Sequence, residues 1–379
     1  MAGLPPCLSL RLLRFLTALL ALVLAFLAAE AAIRTFPGLL NEKTRHAAFS
    51  RYDTLPGGIF VVEGITGARF MRADFATRAY SAGRSWSHRT DGRGFRNPPG
   101  ISNPEVVLLG DSSIYGHGVE ATETVSHFLH ADHGLVAFDM SAQGCCPYEH
   151  YLSLRLWNEE LHPPTALLFV YVNDVRDLVK LGRTAWLPEP PEIGRFDFGE
   201  IRARVDTLIH HREPWILRAT FASDLVRMFA RSRGWRPEPP AESVTSKRWR
   251  PPKDALGASP REVSVPAAVL DDSIFRPVEK YINLLVDDLA ARCGRASTRL
   301  VIVHLVPPVE TAWPARDQAQ AKLLESLRGV CIRHGLELVD TAGFFEGHTE
   351  WILSVDGHLN PAGHRALAAF LADTALDPK

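Results

Sequence analysis

Cysteine is scarce and net charge nearly absent in this 379-residue sequence, and it contains no internal repeat. Its five cysteines include no CxxC pair, and no Cys/His spacing suggests zinc. A formal net charge of -1 removes any whole-chain reason to expect a nucleic-acid partner. The loop at 110–116 lacks both G-x-G-x-x-G and G-x-x-x-x-G-K-[ST], so a phosphate cradle is not expected there. Near the C-terminus, Asp356, His358 and His364 form no familiar ligand set, and neither a metal nor a cofactor is expected. What remains is ordinary globular composition, 46% hydrophobic and 22% charged, long enough for one large domain or two smaller ones.

The N-terminus departs from that plainness. Arg11 and Arg14 precede an uncharged apolar run at 15–29, interrupted by Glu30 and resumed through Ile33 before Arg34. A helix needs roughly 20 apolar residues to cross the hydrocarbon core, and this segment qualifies if Glu30 sits at the far interface. The arginines ahead of it would stay cytoplasmic and place the rest of the chain outside, in the bacterial periplasm or at the cell surface. A signal peptide cleaved among the alanines around Glu30, releasing a secreted domain, is the competing reading. Cys145, Cys146, Cys293 and Cys331 would then lie outside, an even number open to disulfides or to free buried thiols. Cys293 and Cys331, near the ends of two predicted helices, are the pair that could meet.

Residues 1–34 thus form an anchor, and 35–100 a lead-in of short strands and turns. From residue 101 a different rhythm begins. Apolar runs at 105–109, 135–140, 165–172, 299–306 and 336–340 read as strands, and helical patterns at 122–132, 147–161, 278–293, 315–334 and 361–375 lie between or after them. Near-continuous apolar strands alternating with helices predict an α/β fold, a three-layer α/β/α sandwich around a mostly parallel five-stranded sheet. The stretch at 178–277 breaks the rhythm. It reads as a partly disordered insertion with a helical piece near 221–232. Its basic residues, Arg227, Arg231, Arg233, Arg236, Lys247, Arg248 and Arg250, read as a solvated loop, ahead of a site for an anionic polymer or lipid headgroup.

In an open parallel sheet, ligands bind beyond the carboxyl ends of the strands. The first strand runs into Gly110-Asp111-Ser112, the second into Ser141-Ala142-Gln143-Gly144, and the third into Asn173-Asp174. Just before the last helix comes Asp356-Gly357-His358. A serine hydroxyl becomes a nucleophile when a base takes its proton, a role His358 suits. Asp356 would hold the imidazole tautomer and stabilise the imidazolium. The N–H groups of Ser112 and Gly144 and the side-chain amide of Asn173 would face the oxyanion, where losing one donor typically costs ~3 kcal/mol. Asp111 would brace the turn, and His117 is a candidate substrate contact.

These four blocks, in this order, resemble the SGNH (GDSL-type) hydrolase superfamily. The lead-in segment HRTDGRGFR at 88–96 is similar to that of its bacterial membrane-anchored members. The resemblance implies a serine esterase acting on an ester-bearing carbohydrate or other small acyl ester, acetyl being the expected acyl group. Two positions depart from the family pattern: Tyr171 stands where Gly is usual, and Val355 where Asp is usual, Asp356 lying two residues before His358. That Asp-x-His spacing is similar to alginate-type polysaccharide O-acetyltransferases, which makes acyl transfer the alternative. A non-catalytic glycan-binding module that kept the fold is the third reading.

Overall fold

The computed structural model describes residues 6–184, 187–234, 269–308, 314–354 and 356–376. The lead-in contributes helix α2 (Glu42–Phe49) and two hairpins, β1 (Phe60–Val62) with β2 (Arg69–Met71) and β3 (Ala76–Ser81) with β4 (Arg84–Arg89). Ala82 and Gly83, which join the second hairpin, both have positive φ, the backbone that matches the twist of a two-residue turn.

The main sheet contains β5 (Val106–Leu109), β6 (Ala137–Asp139), β7 (Thr165–Val170), β8 (Arg299–His304) and β9 (Glu337–Asp340). Its order is β6-β5-β7-β8-β9, and every pairing is parallel. Alternate side chains along a strand leave opposite faces, and the burial follows that period. Val107, Leu109, Ala166, Leu168, Leu300 and Ile302 enter one core. Val106, Leu108, Leu167, Phe169, Val301 and Val303 enter the other. Helices α5 (Pro147–Leu161), α6 (Val172–Thr184), α11 (Asp272–Arg295) and α12 (Pro314–His334) cover the first face. The opposite face is covered by α4 (Val125–His133) and α14 (Pro361–Leu371). The expected three-layer α/β fold is therefore present, with an entirely parallel sheet.

One strand is shorter than its apolar run suggests. β7 ends at Val170, and Val172, Asn173 and Asp174 begin α6. The Asp174 carboxylate accepts the Tyr171 N–H at 2.8 Å, which stops the strand and starts the helix. The described part of the 178–277 stretch is largely helical, beyond the single piece expected near 221–232. It continues through α7 (Pro190–Ile193), α8 (Phe198–His210), α9 (Trp215–Ala222) and α10 (Asp224–Ser232). Residues 235–268 of this stretch, with most of its prolines, lie outside the described residues, so the expected partial disorder is not addressed there.

Nor are Arg227 and Arg231 of the basic stretch free in solvent, whereas Arg233 is exposed as expected. Arg227 is fully buried, donating to both Asp53 carboxylate oxygens at 2.8 Å and to Pro56 O at 2.7 Å. Arg231 donates to His46 O and Ser50 O. These bonds seat α10 against α2 and the loop after it. Cys145, Cys146, Cys293 and Cys331 are free and buried, so the Cys293–Cys331 pairing left open above does not form.

The lead-in is tied to the sheet by two residues of the segment at 88–97. Arg96 is buried and donates to four carbonyls: Ser87 O (2.9 Å), Tyr115 O (3.1 Å), Gly116 O (2.9 Å) and Val119 O (2.7 Å). Asn97 faces Asp139 of β6, its Nδ2 donating to Asp139 O (3.0 Å) and its Oδ1 accepting the Asp139 N–H (2.8 Å).

Candidate active site

The sheet order turns at β5, whose successor β6 lies on one side and β7 on the other. Such a switch point opens a crevice beyond the strand ends. Out of β5 the chain enters the short helix α3 (Ser112–Tyr115), with Asp111 as N-cap. Asp111 Oδ1 accepts the Ser113 N–H at 2.8 Å, the bracing expected of it. The turn closes at Gly116, at φ +83°, where a Cβ would meet Thr124 Cγ2 at 2.6 Å. Both the backbone conformation and the space there require glycine.

Ser112 Oγ lies 2.8 Å from His358 Nε2. Asp356 Oδ1 is 3.2 Å from His358 Nδ1, close enough to pair charge. That contact lacks hydrogen-bond alignment, and the Nδ1 is without a hydrogen-bonded partner. The same carboxylate oxygen instead accepts the backbone N–H of His358 at 3.2 Å. Asp356 Oδ2 is 3.2 Å from His117 Nε2, and His117 Nδ1 lies 2.7 Å from Gln143 Oε1. Burial raises the Asp356 carboxyl, but hydrogen bonds and charge from His117 and His358 outweigh it and hold the group well below the ordinary carboxylate range. Burial, opposed by the Asp356 contact and reinforced by His358, pushes the His117 imidazole below its usual value. His117 sits in an aromatic wall, edge-on to Trp86 at 4.7 Å and 6.1 Å from Tyr52.

Asn173 Nδ2 donates to Asp111 Oδ2 at 2.6 Å. This bond ties the Asn173 side chain to the nucleophile turn and leaves its second N–H for another acceptor. Gly144, after β6, has φ +65° and open space where a Cβ would stand. Its carbonyl accepts from Arg69 Nη2 at 2.5 Å, and Arg69 also pairs with the buried Glu149 of α5. No hydrogen bond within the described residues occupies the N–H of Ser112 or of Gly144.

Tyr171, at the departure noted above, is half-buried, and its hydroxyl accepts from the buried Arg316 at 3.0 Å. Asp174 is buried behind it; burial and the nearby Asp111 carboxylate push its carboxyl well above the usual range. His364, the other C-terminal histidine, is buried in α14 and neither ring nitrogen has a hydrogen-bond partner.

The structure thus brings Ser112, His358, Asp356 and His117 into contact and links Asn173 to them through Asp111. A hydroxyl against an imidazole, beside an ionised carboxylate, is a set that can pass one proton and support nucleophilic attack. His117, Asp356 and His358 also offer three ligand atoms within 4.8 Å of one another, enough to hold a divalent cation. An ion there would compete with proton transfer between Ser112 and His358. Arg96 and Gln143 also frame the site, and neither has a local sequence pattern that marks it for that task. Arg96 lies in the segment at 88–96, a family likeness that assigns it no task; Gln143 carries no signal beyond its place after β6.

No protein-family model matches the chain, and no curated protein does. Among solved structures it is similar to the psychrotrophic esterase EstA from Pseudoalteromonas sp., with 10% identity, a TM-score of 0.37, and coverage of 71% of this chain and 94% of that one. A putative lipolytic protein of the G-D-S-L family from Desulfitobacterium hafniense shows 8% identity, a TM-score of 0.37, and coverage of 72% and 99%. The lipase/acylhydrolase from Enterococcus faecalis shows 12% identity, a TM-score of 0.35, and coverage of 71% and 93%. At these scores the likenesses carry nothing about activity to this chain.

Proposed function

We propose that the chain is an exported, membrane-anchored serine esterase that removes small acyl groups, acetyl first among them, from a carbohydrate or other ester. The observation that carries this reading is the 2.8 Å contact between Ser112 Oγ and His358 Nε2, with the Asp356 carboxylate on the far side of the imidazole. In the proposed reaction Ser112 Oγ attacks the ester carbonyl carbon while its proton passes to His358 Nε2. The tetrahedral oxyanion is held by the N–H groups of Ser112 and Gly144 and by the Asn173 amide. Its collapse breaks the bond to the alcohol, which leaves with the proton from His358. Water then repeats the sequence on the acyl-enzyme, releasing the acid and restoring Ser112.

Support for an uncleaved anchor comes from the end of helix α1 (Pro6–Thr35). Glu30 accepts from Ser223 Oγ (3.0 Å), Asp224 N (2.9 Å) and Leu225 N (3.0 Å), so it caps α10. Cleavage after Glu30, at Ala31 or Ala32, would strip that cap away.

The second reading is a polysaccharide O-acetyltransferase, in which a sugar hydroxyl takes the place of water. It is favoured by Asp356 standing two residues before His358, the spacing similar to the alginate-type enzymes. Both readings pass through one acyl-enzyme, so two measurements are needed. A fluorophosphonate probe should label the native chain and not Ser112→Ala, with turnover of an activated acetyl ester falling by about 10⁶. Absence of labelling in the native chain would leave only the glycan-binding module. Supplying the acetyl ester with and without an acceptor glycan then separates acetate release from acetyl-glycan formation.

A further inference from the structure

The apolar helix α1 has a stretch, Leu12–Thr35, long enough to cross a membrane. At 1.5 Å per residue its 24 residues extend about 36 Å, a little beyond the ~30 Å hydrocarbon core. Glu30 and Arg34, in its last two turns, therefore fall at the headgroup level. Both are bound to the folded body there. Besides the Glu30 cap on α10, Arg34 donates to Ala222 O at 2.9 Å and pairs with Asp224 at 2.9 Å. Ala222 is the last residue of α9, so α9 ends against the point where the anchor leaves the bilayer.

Helix α9 has the sequence WILRATFA. Only Phe221 is buried, whereas Trp215 is 77% exposed, Ile216 58% and Leu217 41%. Phe36 and Leu39, just past the anchor, are exposed too. Eight residues are too few for a helix to persist in water on propensity alone. A short helix showing Trp, Ile and Leu to solvent needs an apolar cover. Trp215 lies seven residues from Ala222, about 10 Å along the helix axis, within reach of the surface the anchor crosses. Tryptophan favours that interface, and Arg218, also exposed, can extend its guanidinium to phosphates.

We propose that α9 lies in the headgroup layer of the membrane that α1 crosses, with Trp215, Ile216 and Leu217 inserted among the upper acyl chains. The inference rests on the uncleaved-anchor reading. Together, the anchor and α9 give the body two attachments, so it cannot swing freely about a single tether. α10 is bonded to α9's neighbour Ser223 and packs on α2, whose chain leads to Tyr52 beside His117. The site is thereby held in a fixed relation to the membrane surface.

The test uses the full-length chain in phosphatidylcholine/phosphatidylglycerol vesicles carrying a lipid brominated high on its acyl chain. Tryptophan quenching is compared between the native chain and Trp215→Phe, whose exposed position spares the fold. The bromolipid should quench a component that Trp215→Phe removes, lowering the quenched signal by at least about twofold. Equal quenching in the two proteins would overturn the proposal. So would Trp215 shielded from the lipid within a cross-linkable pair of chains, which would make a second copy the cover. The mass of the chain from native membranes separates failure of the anchor: an N-terminus beginning beyond residue 29 would sink that reading and this inference with it, whereas an intact N-terminus with unquenched Trp215 sinks the inference alone.

Discussion

The imidazole rings of His117 and His358 lie stacked, their centroids 4.2 Å apart and their planes 29° from parallel, with one carboxylate serving both. Asp356 turns Oδ1 toward His358 and Oδ2 toward His117. A neutral His117 has a single N–H. Directed at Asp356, it makes Nδ1 an acceptor, and the Gln143 amide, whose Oε1 lies 2.7 Å away, must turn over to present its NH₂. Asp356, which can only accept, thereby selects the His117 tautomer, the Gln143 amide adapts to it, and His117 steadies the carboxylate behind His358.

Unequal losses follow from this arrangement. Asp356→Asn should lower kcat by about 10⁴, because the imidazole loses both its orientation and its counter-charge. His117→Gln should cost only about tenfold in kcat with KM little changed, as expected of a positioning group. Steady-state kinetics on an acetyl ester checks both, and equal losses would mean His117 does more than hold Asp356.

Arg96 offers a test of how the nucleophile turn is held. Arg96→Ala strands three buried carbonyls, two of them in the 115–116 turn, and should destabilise the chain by about 3 kcal/mol or more. Arg96→Lys should recover little, since an ammonium cannot reproduce the planar fork. Urea denaturation gives the stability, and the rate of fluorophosphonate labelling reports whether the turn still presents Ser112.

Buried histidines should weaken the fold in acid, against the raised carboxyls of Asp139 and Asp174, which work the other way. Burial pushes His88 and His364 down to about 3 from an ordinary 6.5, and lowers His150 in the same direction. Between pH 6.5 and 3 the unfolded chain binds more protons at these sites, so their contribution to stability falls as pH falls through that window. Each such histidine contributes a slope of up to about 1.4 kcal/mol per pH unit. His364→Leu, which removes a ring with no hydrogen-bonded partner, should make urea midpoints at pH 4 relative to pH 6 higher than in the native chain.

Tyr171 should set the reach of the acyl pocket. Tyr171→Phe removes the oxygen that accepts from buried Arg316 and should cost about 1–2 kcal/mol of stability. Tyr171→Gly also clears the ring, and should raise kcat/KM for a butyryl ester relative to acetyl about tenfold. An unchanged ratio would place the acyl chain elsewhere.

The blocks around Ser112, Gly144 and Asn173 were legible in the sequence because each is local and follows a strand, and the block around His358 because it precedes the last helix. Strands β5 and β8 were legible for the same reason, as short apolar runs. The end of β7 was not. The apolar run carries past Val170, and only the Asp174 side chain marks the stop. Partners far apart in the chain were equally hidden. Glu30 reads as a blemish in an apolar run until Asp224, 194 residues on, is found beside it. Arg227 reads as one charge in a basic loop until Asp53 supplies its counter-ion.

Asn97 has a consequence beyond tying the lead-in down. β6 is an edge strand, and an edge offers free N–H and C=O groups to any passing chain. By giving Asp139 both a donor and an acceptor, the Asn97 amide fills one rung of a missing ladder. Intermolecular strand pairing is blocked there by a single side chain, a safeguard against aggregation set beside the loop that carries Gly144.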